Sequence, residues 1–338
     1  MLRAGLVFAL TIVSASPLCA GPALLFDAPT GVVLYAEDHD DLWHPASLTK
    51  IMTAYVTFEA IKEATLTLQT KISCSSLANS QGPLKVGLRV GETMTVETAL
   101  QALIIKSAND VAVMLAEAVG GSHAAFVERM NATAGRLAMT HTRFVNANGL
   151  PASEQVSTAR DMAKLASAVV RDYPQHAHFW SMRETQVGKR RLHTHNGLLI
   201  NYAGADGMKT GFICNSGFNV VASATRDGHK LIAVVLGEAT GGERTIRTAN
   251  LLEHGFQVHG WKALFGSQTL DTLPTAENAK SAVTIPQTVI SWVCGTGRAV
   301  PKNTKPRIAA SPSAPDSKAR TAAKKTTIAK KSPSSWPW

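Results

Sequence analysis

Residues 47 to 64 predict a helix with Leu48, Ile51, Met52, Tyr55 and Phe58 at helical spacing and apolar groups around most of its circumference. Such a helix has no face to give to solvent, so the rest of the chain must be built around it. Its first turn nevertheless carries two polar groups, Ser47 and Lys50, in Pro45-Ala46-Ser47-Leu48-Thr49-Lys50. Three residues is close to one helical turn, which sets the serine and the lysine side by side. A core helix normally avoids both. Serine is a poor nucleophile until a neighbour takes its proton, and a desolvated lysine near other cations titrates low enough to do so. The free N–H groups at a helix start also favour negative charge on the serine oxygen. The S-x-x-K pattern alone is weak, since it should arise roughly once by chance in a chain of this length.

The flanking chain supplies a domain. Ala23 to Asp27 and Val32 to Ala36 read as a strand pair about Pro29-Thr30-Gly31, and His44-Pro45 leads into the central helix. Thr67 to Glu92 is irregular or β, punctuated by Gly82, Gly87 and Gly91. Four helices are expected between 95 and 173: from Thr95 to Ile105, Val111 to Val119 stopping at Gly120-Gly121, after Ser122 to Ala138, and after Ser157 to Asp172. Beyond Tyr173-Pro174 the periodicity changes to strands at Glu184 to Lys189, Met208 to Cys214, Phe218 to Ala224 and Lys230 to Leu236. Arg226-Asp227-Gly228-His229 is a hairpin turn between the last two, and Gly242 to Gly260 a final helix. The expected class is α/β of the α+β type: an antiparallel sheet flanked by helices plus an all-helical lobe, with a cleft where they meet.

The two ends of the 338-residue chain differ from its body. Arg3, the apolar run Leu6 to Val13 and the exit Leu18-Cys19-Ala20 predict a signal peptide over 1–20 and an exported protein. The remaining cysteines, Cys74, Cys214 and Cys294, are odd in number, so at least one is a free thiol or bonds another molecule. The tail from 299 to 338 holds seven Lys and two Arg against one Asp, most of the formal net charge of +10, while the body is nearly neutral. Rich in Pro, Ala, Ser, Thr and Lys, it is expected to be disordered. The sharper reading is electrostatic tethering to anionic wall polymer or a membrane surface, with Trp336 and Trp338 as interfacial anchors. No nucleic acid partner is expected. The expected domains are thus the signal peptide, a catalytic domain over 21–262, a short extension over 263–298 and the tail.

Two later stretches give S-x-x-K its weight. Lys106-Ser107-Ala108-Asn109-Asp110 is a polar knot between apolar helices, and Asp206-Gly207-Met208-Lys209-Thr210-Gly211 puts a charge, a hydroxyl and bare backbone on an edge strand. Such a strand can pair with a peptide and hold its terminal carboxylate on Lys209 and Thr210. Singly, each residue has an ordinary reading: Ser47 or Asn109 as a cap, Lys50 paired with an acid, Lys209-Thr210 as exposed strand. Their joint order weighs against those readings.

The order S-x-x-K, S-x-N, K-T-G is the signature of serine penicillin-binding proteins and serine β-lactamases. With Asn148-Gly149-Leu150-Pro151, Ser157-Thr158-Ala159-Arg160-Asp161-Met162-Ala163 and Ala222 to Gly237, residues 22 to 260 resemble the low-molecular-mass D-alanyl-D-alanine carboxypeptidases, peptidase family S11. The resemblance implies a serine β-lactamase/DD-peptidase-like fold and acyl transfer on peptidoglycan stem peptides. Ser47 is then the nucleophile, Lys50 its base and Ser107 the proton relay. Asn109 holds the substrate amide, Lys209, Thr210 and Gly211 the terminal carboxylate side, and the backbone N–H groups of Ser47 and Phe212 the oxyanion. β-Lactams should acylate Ser47 as covalent inhibitors. No cofactor is expected, and His193-Thr194-His195 lacks a third ligand for a metal. Relatives often carry Gly where Ala108 stands, and a further β-rich domain with an amphipathic anchor; 261–298 is too short for that domain, so stable membrane attachment is not expected. Location is expected in the periplasm or cell envelope, peripheral at most on the outer face of the cytoplasmic membrane. Alternatives are a DD-endopeptidase of the same family and a serine β-lactamase, although neither Glu154 nor Glu184 has the E-x-x-L-N setting of a deacylating acid.

Overall fold

The computed structural model describes residues 21–265, 268–281 and 283; the expected signal peptide, Cys294 and the basic tail lie outside them. In chain order the elements are β1 (Ala23–Asp27), β2 (Val33–Glu37), α1 (Thr49–Lys62), β3 (Lys71–Ser73), α2 (Ser76–Asn79), β4 (Thr93–Thr95), α3 (Val96–Gln101), α4 (Asn109–Gly120) and α5 (His123–Arg136). There follow α6 (Ala159–Asp172), α7 (His178–Ser181), β5 (Glu184–Val187), β6 (Arg190–His193), α8 (Gly197–Asn201), β7 (Ala205–Ile213), β8 (Gly217–Arg226), β9 (His229–Glu238) and α9 (Gly241–Phe265).

Five strands form one antiparallel sheet in the order β2-β1-β9-β8-β7. One face packs on α9 through Leu25, Leu34, Val220, Ala233, Val235 and Leu252. The other meets α1, α6 and the helical lobe. Every residue of α1 from Thr49 to Phe58 is buried, as a helix apolar on all sides requires. The lobe's helices are bounded by their own side chains. Thr95, Ser122 and Thr158 each cap a helix by accepting an N–H with the side-chain hydroxyl. Gly121, at φ +72°, ends α4 in the left-handed region that glycine enters without a Cβ clash.

Two expectations need correction. The strand expected at Glu184 to Lys189 is half of a separate hairpin, β5–β6, outside the main sheet. Its residues alternate between exposed and half-buried, with no apolar face for a central sheet position. The irregular stretch after Thr67 contains α2, capped by Ser75, and the small β3–β4 pair. The segment after α9 returns to the domain: Thr269 bridges Val32, and Arg160 donates to the carbonyls of Leu273 and Pro274. Cys74 is free and buried, whereas Cys214 is disulfide-bonded.

Candidate active site

The chain enters α1 through a single 3₁₀ turn, Ala46–Leu48, so Ser47 sits half-buried just before the buried helix. Lys50 lies one turn on and is completely buried. Its Nζ is 3.0 Å from Ser47 Oγ and donates to Asn109 Oδ1 at 2.8 Å and to the Asn148 carbonyl. Those three contacts use all the N–H donors of an ammonium. Burial, and then the positive charge of Lys209, push the Lys50 pKa well below its ordinary value; Asp110 opposes this more weakly. Once neutral, Lys50 can turn its lone pair to the Ser47 hydroxyl and keep two N–H bonds on Asn109 and Asn148.

Asn109 is the first residue of α4, and its amide donates to the Pro83 carbonyl at 2.5 Å. Asp110, beside it, accepts from the backbone N–H groups of Val86, Gly87 and Val111 and so anchors the loop over Asn109. Ser107 has left-handed φ of +61°, a strained conformation for serine, at the end of a π-helical turn over Ala102–Lys106. Its hydroxyl is buried and has no partner among the described residues, and no hydrogen bond joins it to Ser47 or Lys50. A buried hydroxyl left open in this way is available to an incoming group.

The third motif lies on β7, an edge strand paired only with β8. A Cβ on Gly211 would lie 3.1 Å from the backbone nitrogens of both Ser47 and Leu48. Glycine therefore lets the strand's backbone press against the nucleophile's turn. Lys209 is 2% exposed and donates only to the Thr210 carbonyl, at 3.0 Å. Burial, then the charge of Arg244, bring its pKa down to about 7. Thr210 is buried beside it, and Phe212 is exposed and stacks on Phe218 at 4.4 Å between centroids.

The structure thus joins Ser47, Lys50 and Asn109 directly, lays Gly211 against Ser47, and leaves the Ser107 hydroxyl open nearby. Sequence reasoning assigned no role to the Asn148 carbonyl, because a main-chain acceptor has no residue signature. It also passed over Arg244. That side chain, on α9, is 7% exposed, packs over the Phe218 ring and pairs with no carboxylate among the described residues; burial lowers its pKa to about 10. A basic residue in a helix gives no hint that its guanidinium turns inward. A cavity of about 650 Å³ beside Arg136, Lys164 and Arg171 includes none of these site residues.

An antiparallel sheet, a helical lobe and a serine–lysine pair between them define the active-site-serine, penicillin-binding type of fold. Residues 10–240 match the model of the peptidase S11 family, described as D-alanyl-D-alanine carboxypeptidase, and the chain belongs to that family. It is 38% identical over 241 residues to the D-alanyl-D-alanine carboxypeptidase DacC of Escherichia coli, covering 69% of this chain and 60% of that one. The chain therefore spans less than two thirds of that relative's length. A D-alanyl-D-alanine carboxypeptidase from Streptomyces sp. strain K15 is 31% identical over 68% of this chain and 84% of its own. Penicillin-binding protein D2 of Listeria monocytogenes, solved in an ampicillin-bound form, superposes with a TM-score of 0.62 at 31% identity, covering 70% of this chain and 97% of that one.

Proposed function

We propose that this protein is an exported serine DD-carboxypeptidase that removes the terminal D-Ala from peptidoglycan stem pentapeptides through an acyl-enzyme on Ser47. The observation that carries this reading is the buried Lys50 amine, bonded to Ser47 Oγ and held by Asn109 and Asn148, beside the Lys209–Thr210 edge strand.

Neutral Lys50 takes the Ser47 proton as Oγ attacks the carbonyl of the penultimate D-Ala. Lys209 and Thr210 hold the terminal carboxylate, and the strand's exposed edge pairs with the peptide. The Ser47 and Phe212 backbone N–H groups face the developing oxyanion, a contribution of about 3 kcal/mol per donor. The scissile C–N bond then breaks, Ser107 hands its proton to the leaving amine and takes the Lys50 proton in its place, and D-Ala departs, leaving Lys50 neutral again. Water, deprotonated by the same lysine, hydrolyses the ester and restores Ser47. β-Lactams carry the same carboxylate and acyl group, and the ampicillin-bound Listeria relative supports their binding here.

A class A β-lactamase needs an acid poised for deacylation. Glu154 is exposed and paired with Arg143, and Glu184 is paired with Arg191 on the outer hairpin, so neither supplies one. The signal-like segment supports action in the periplasm or cell envelope.

The test uses the purified chain with a pentapeptide ending in D-Ala-D-Ala and with a cross-linked dimer. Release of D-Ala, abolished by penicillin and by Ser47→Ala, is the expected result. Cleavage of the dimer alone would make the protein an endopeptidase. No product from either, with rapid β-lactam hydrolysis, would overturn the reading.

A further inference from the structure

Four basic side chains gather on the Lys209 side of the site without a carboxylate among the described residues to pair with any of them. Two are Lys209 and Arg244. A third, Lys106, ends the π-helical turn directly before Ser107 and is half-buried. The fourth is His195. The β5–β6 hairpin packs on the Lys106 turn, where Thr185 Oγ1 donates to Gln101 Oε1 at 2.5 Å, and carries the chain to His195. The next residue, Asn196, donates from Nδ2 to the Gly207 carbonyl at 3.4 Å, two residues before Lys209. His195 is therefore held between the wall that bears Ser107 and the strand that bears Lys209. His195 is exposed, and the protein packed around its ring, then the charges of Lys106, Lys209 and Arg244, lower its pKa, so it meets a ligand as a neutral donor at neutral pH and Lys106 supplies the charge. The one acid that acts on the buried lysine of this site, Asp110, is already engaged by three backbone N–H groups.

The position of this cluster fixes which part of a substrate meets it. Ser47 faces Gly211, while Lys209 lies two residues back along β7. With the scissile carbonyl at Ser47 and the terminal carboxylate at Lys209, Lys106 and His195 flank the residue that leaves. A single carboxylate, as on a terminal D-Ala, answers Lys209 and leaves the remaining positive charge unmatched. In a partly desolvated groove, unmatched like charges repel and a second anion is favoured.

We propose that the leaving-group side of this site accepts an acidic residue: a terminal D-amino acid whose side chain carries a second carboxylate, read by Lys106 and His195. This rests on the carboxypeptidase reading. The chemistry is the same hydrolysis, with the acidic amino acid leaving as the free amine.

The experiment compares peptides of one sequence ending in D-Ala-D-Ala, D-Ala-D-Glu and D-Ala-D-Gln. The last two are nearly isosteric and differ in the carboxylate. The expected kcat/KM is about fivefold higher for D-Glu than for D-Gln at low salt, the scale of a solvent-accessible ion pair. The ratio should fall toward one in 0.5 M salt and in Lys106→Gln/His195→Gln. Equal rates for D-Glu and D-Gln in the wild type, or a preference that survives the double substitution, would overturn the proposal. Binding of the same peptides to Ser47→Ala gives the charge preference without turnover. Failure to release D-Ala from the D-Ala-D-Ala control counts against the carboxypeptidase reading instead, and the Ser47→Ala affinities still decide the acidic preference.

Discussion

A Cβ on Gly149 would lie 1.9 Å from the carbonyl oxygen of Ala46, the residue before the nucleophile. Gly149 also has φ of +80°, and the preceding carbonyl, that of Asn148, holds Lys50. The loop that holds Lys50 and the turn that carries Ser47 can thus touch only through a glycine. Gly149→Ala should destabilise the protein by about 2–4 kcal/mol through clash and backbone strain. It should also slow acylation by labelled penicillin, because either Asn148 or Ser47 must move. Denaturant unfolding and a labelling time course check both effects; unchanged labelling would separate this contact from the chemistry.

Lys50→Met keeps much of the side-chain length and removes the amine. Acylation of Ser47 should drop by about 10³-fold, the scale of a positioned general base. Stopped-flow measurement with a chromogenic β-lactam checks this, and near wild-type acylation would transfer the role of base to another group.

The two buried lysines give the pH profile opposite limbs. Acylation needs Lys50 neutral, so activity rises as pH climbs through its depressed pKa. Carboxylate binding needs Lys209 charged, so kcat/KM for a carboxylate-ended peptide should fall above about pH 7 in the free enzyme. Amidating that carboxylate should remove the alkaline limb and keep the acid one. For stability the sign is fixed by the depressed pKa. Between about 7 and 10.5 the unfolded chain holds the Lys209 proton and the folded one does not, so this group's contribution to stability grows with pH across that window.

Arg244 acts on the same limb. Removing its positive charge in Arg244→Gln should raise the Lys209 pKa and move the alkaline limb upward, while KM for carboxylate-ended peptides increases about tenfold. A pH series of kcat and KM for this variant tests both. A profile superimposable on wild type would leave Arg244 with a packing role over Phe218 alone.

Arg160 is bonded to both carboxylate oxygens of buried Asp40 and to the carbonyls of Leu273 and Pro274. Burial, the largest single influence, would raise the Asp40 pKa, but the bonds from Arg160 and the Ala276 N–H, with the charges of Arg160 and His39, together hold it below its ordinary value. The pair's stabilisation is therefore present above that ordinary value and is lost as pH falls through the folded pKa. Arg160→Ala should cost about 3–5 kcal/mol by stranding a buried carboxylate. Urea unfolding at neutral pH measures it.

Much of this was legible in one dimension because it depends on local order. The central helix showed as an apolar run, the lobe helices as hydroxyl caps and glycine stops, and β7 to β9 as strands with a turn at Asp227-Gly228. The pairing of Ser47 with Lys50 follows from helical pitch alone. The strand at Glu184 to Lys189 was misplaced, and its partner β6 passed over, because a short alternating strand does not state which sheet it joins. Ser107 was singled out by the pattern, which held nothing about its left-handed backbone or its unbonded hydroxyl.

By itself the sequence singled out the proposed nucleophile, base and carboxylate-binding lysine and their order, since these are matters of residue type and near spacing. Only the tertiary structure decided their electrostatics. The Lys50 pKa is depressed because α1 is enclosed on every side and Lys209 is brought near it from 159 positions away in the chain. Arg244, Asn148 and the unmatched charge of Lys106 beside His195 belong to the site for the same reason: desolvation and Coulomb interaction depend on distance in space, which the folding of β7, α9 and the helical lobe alone sets.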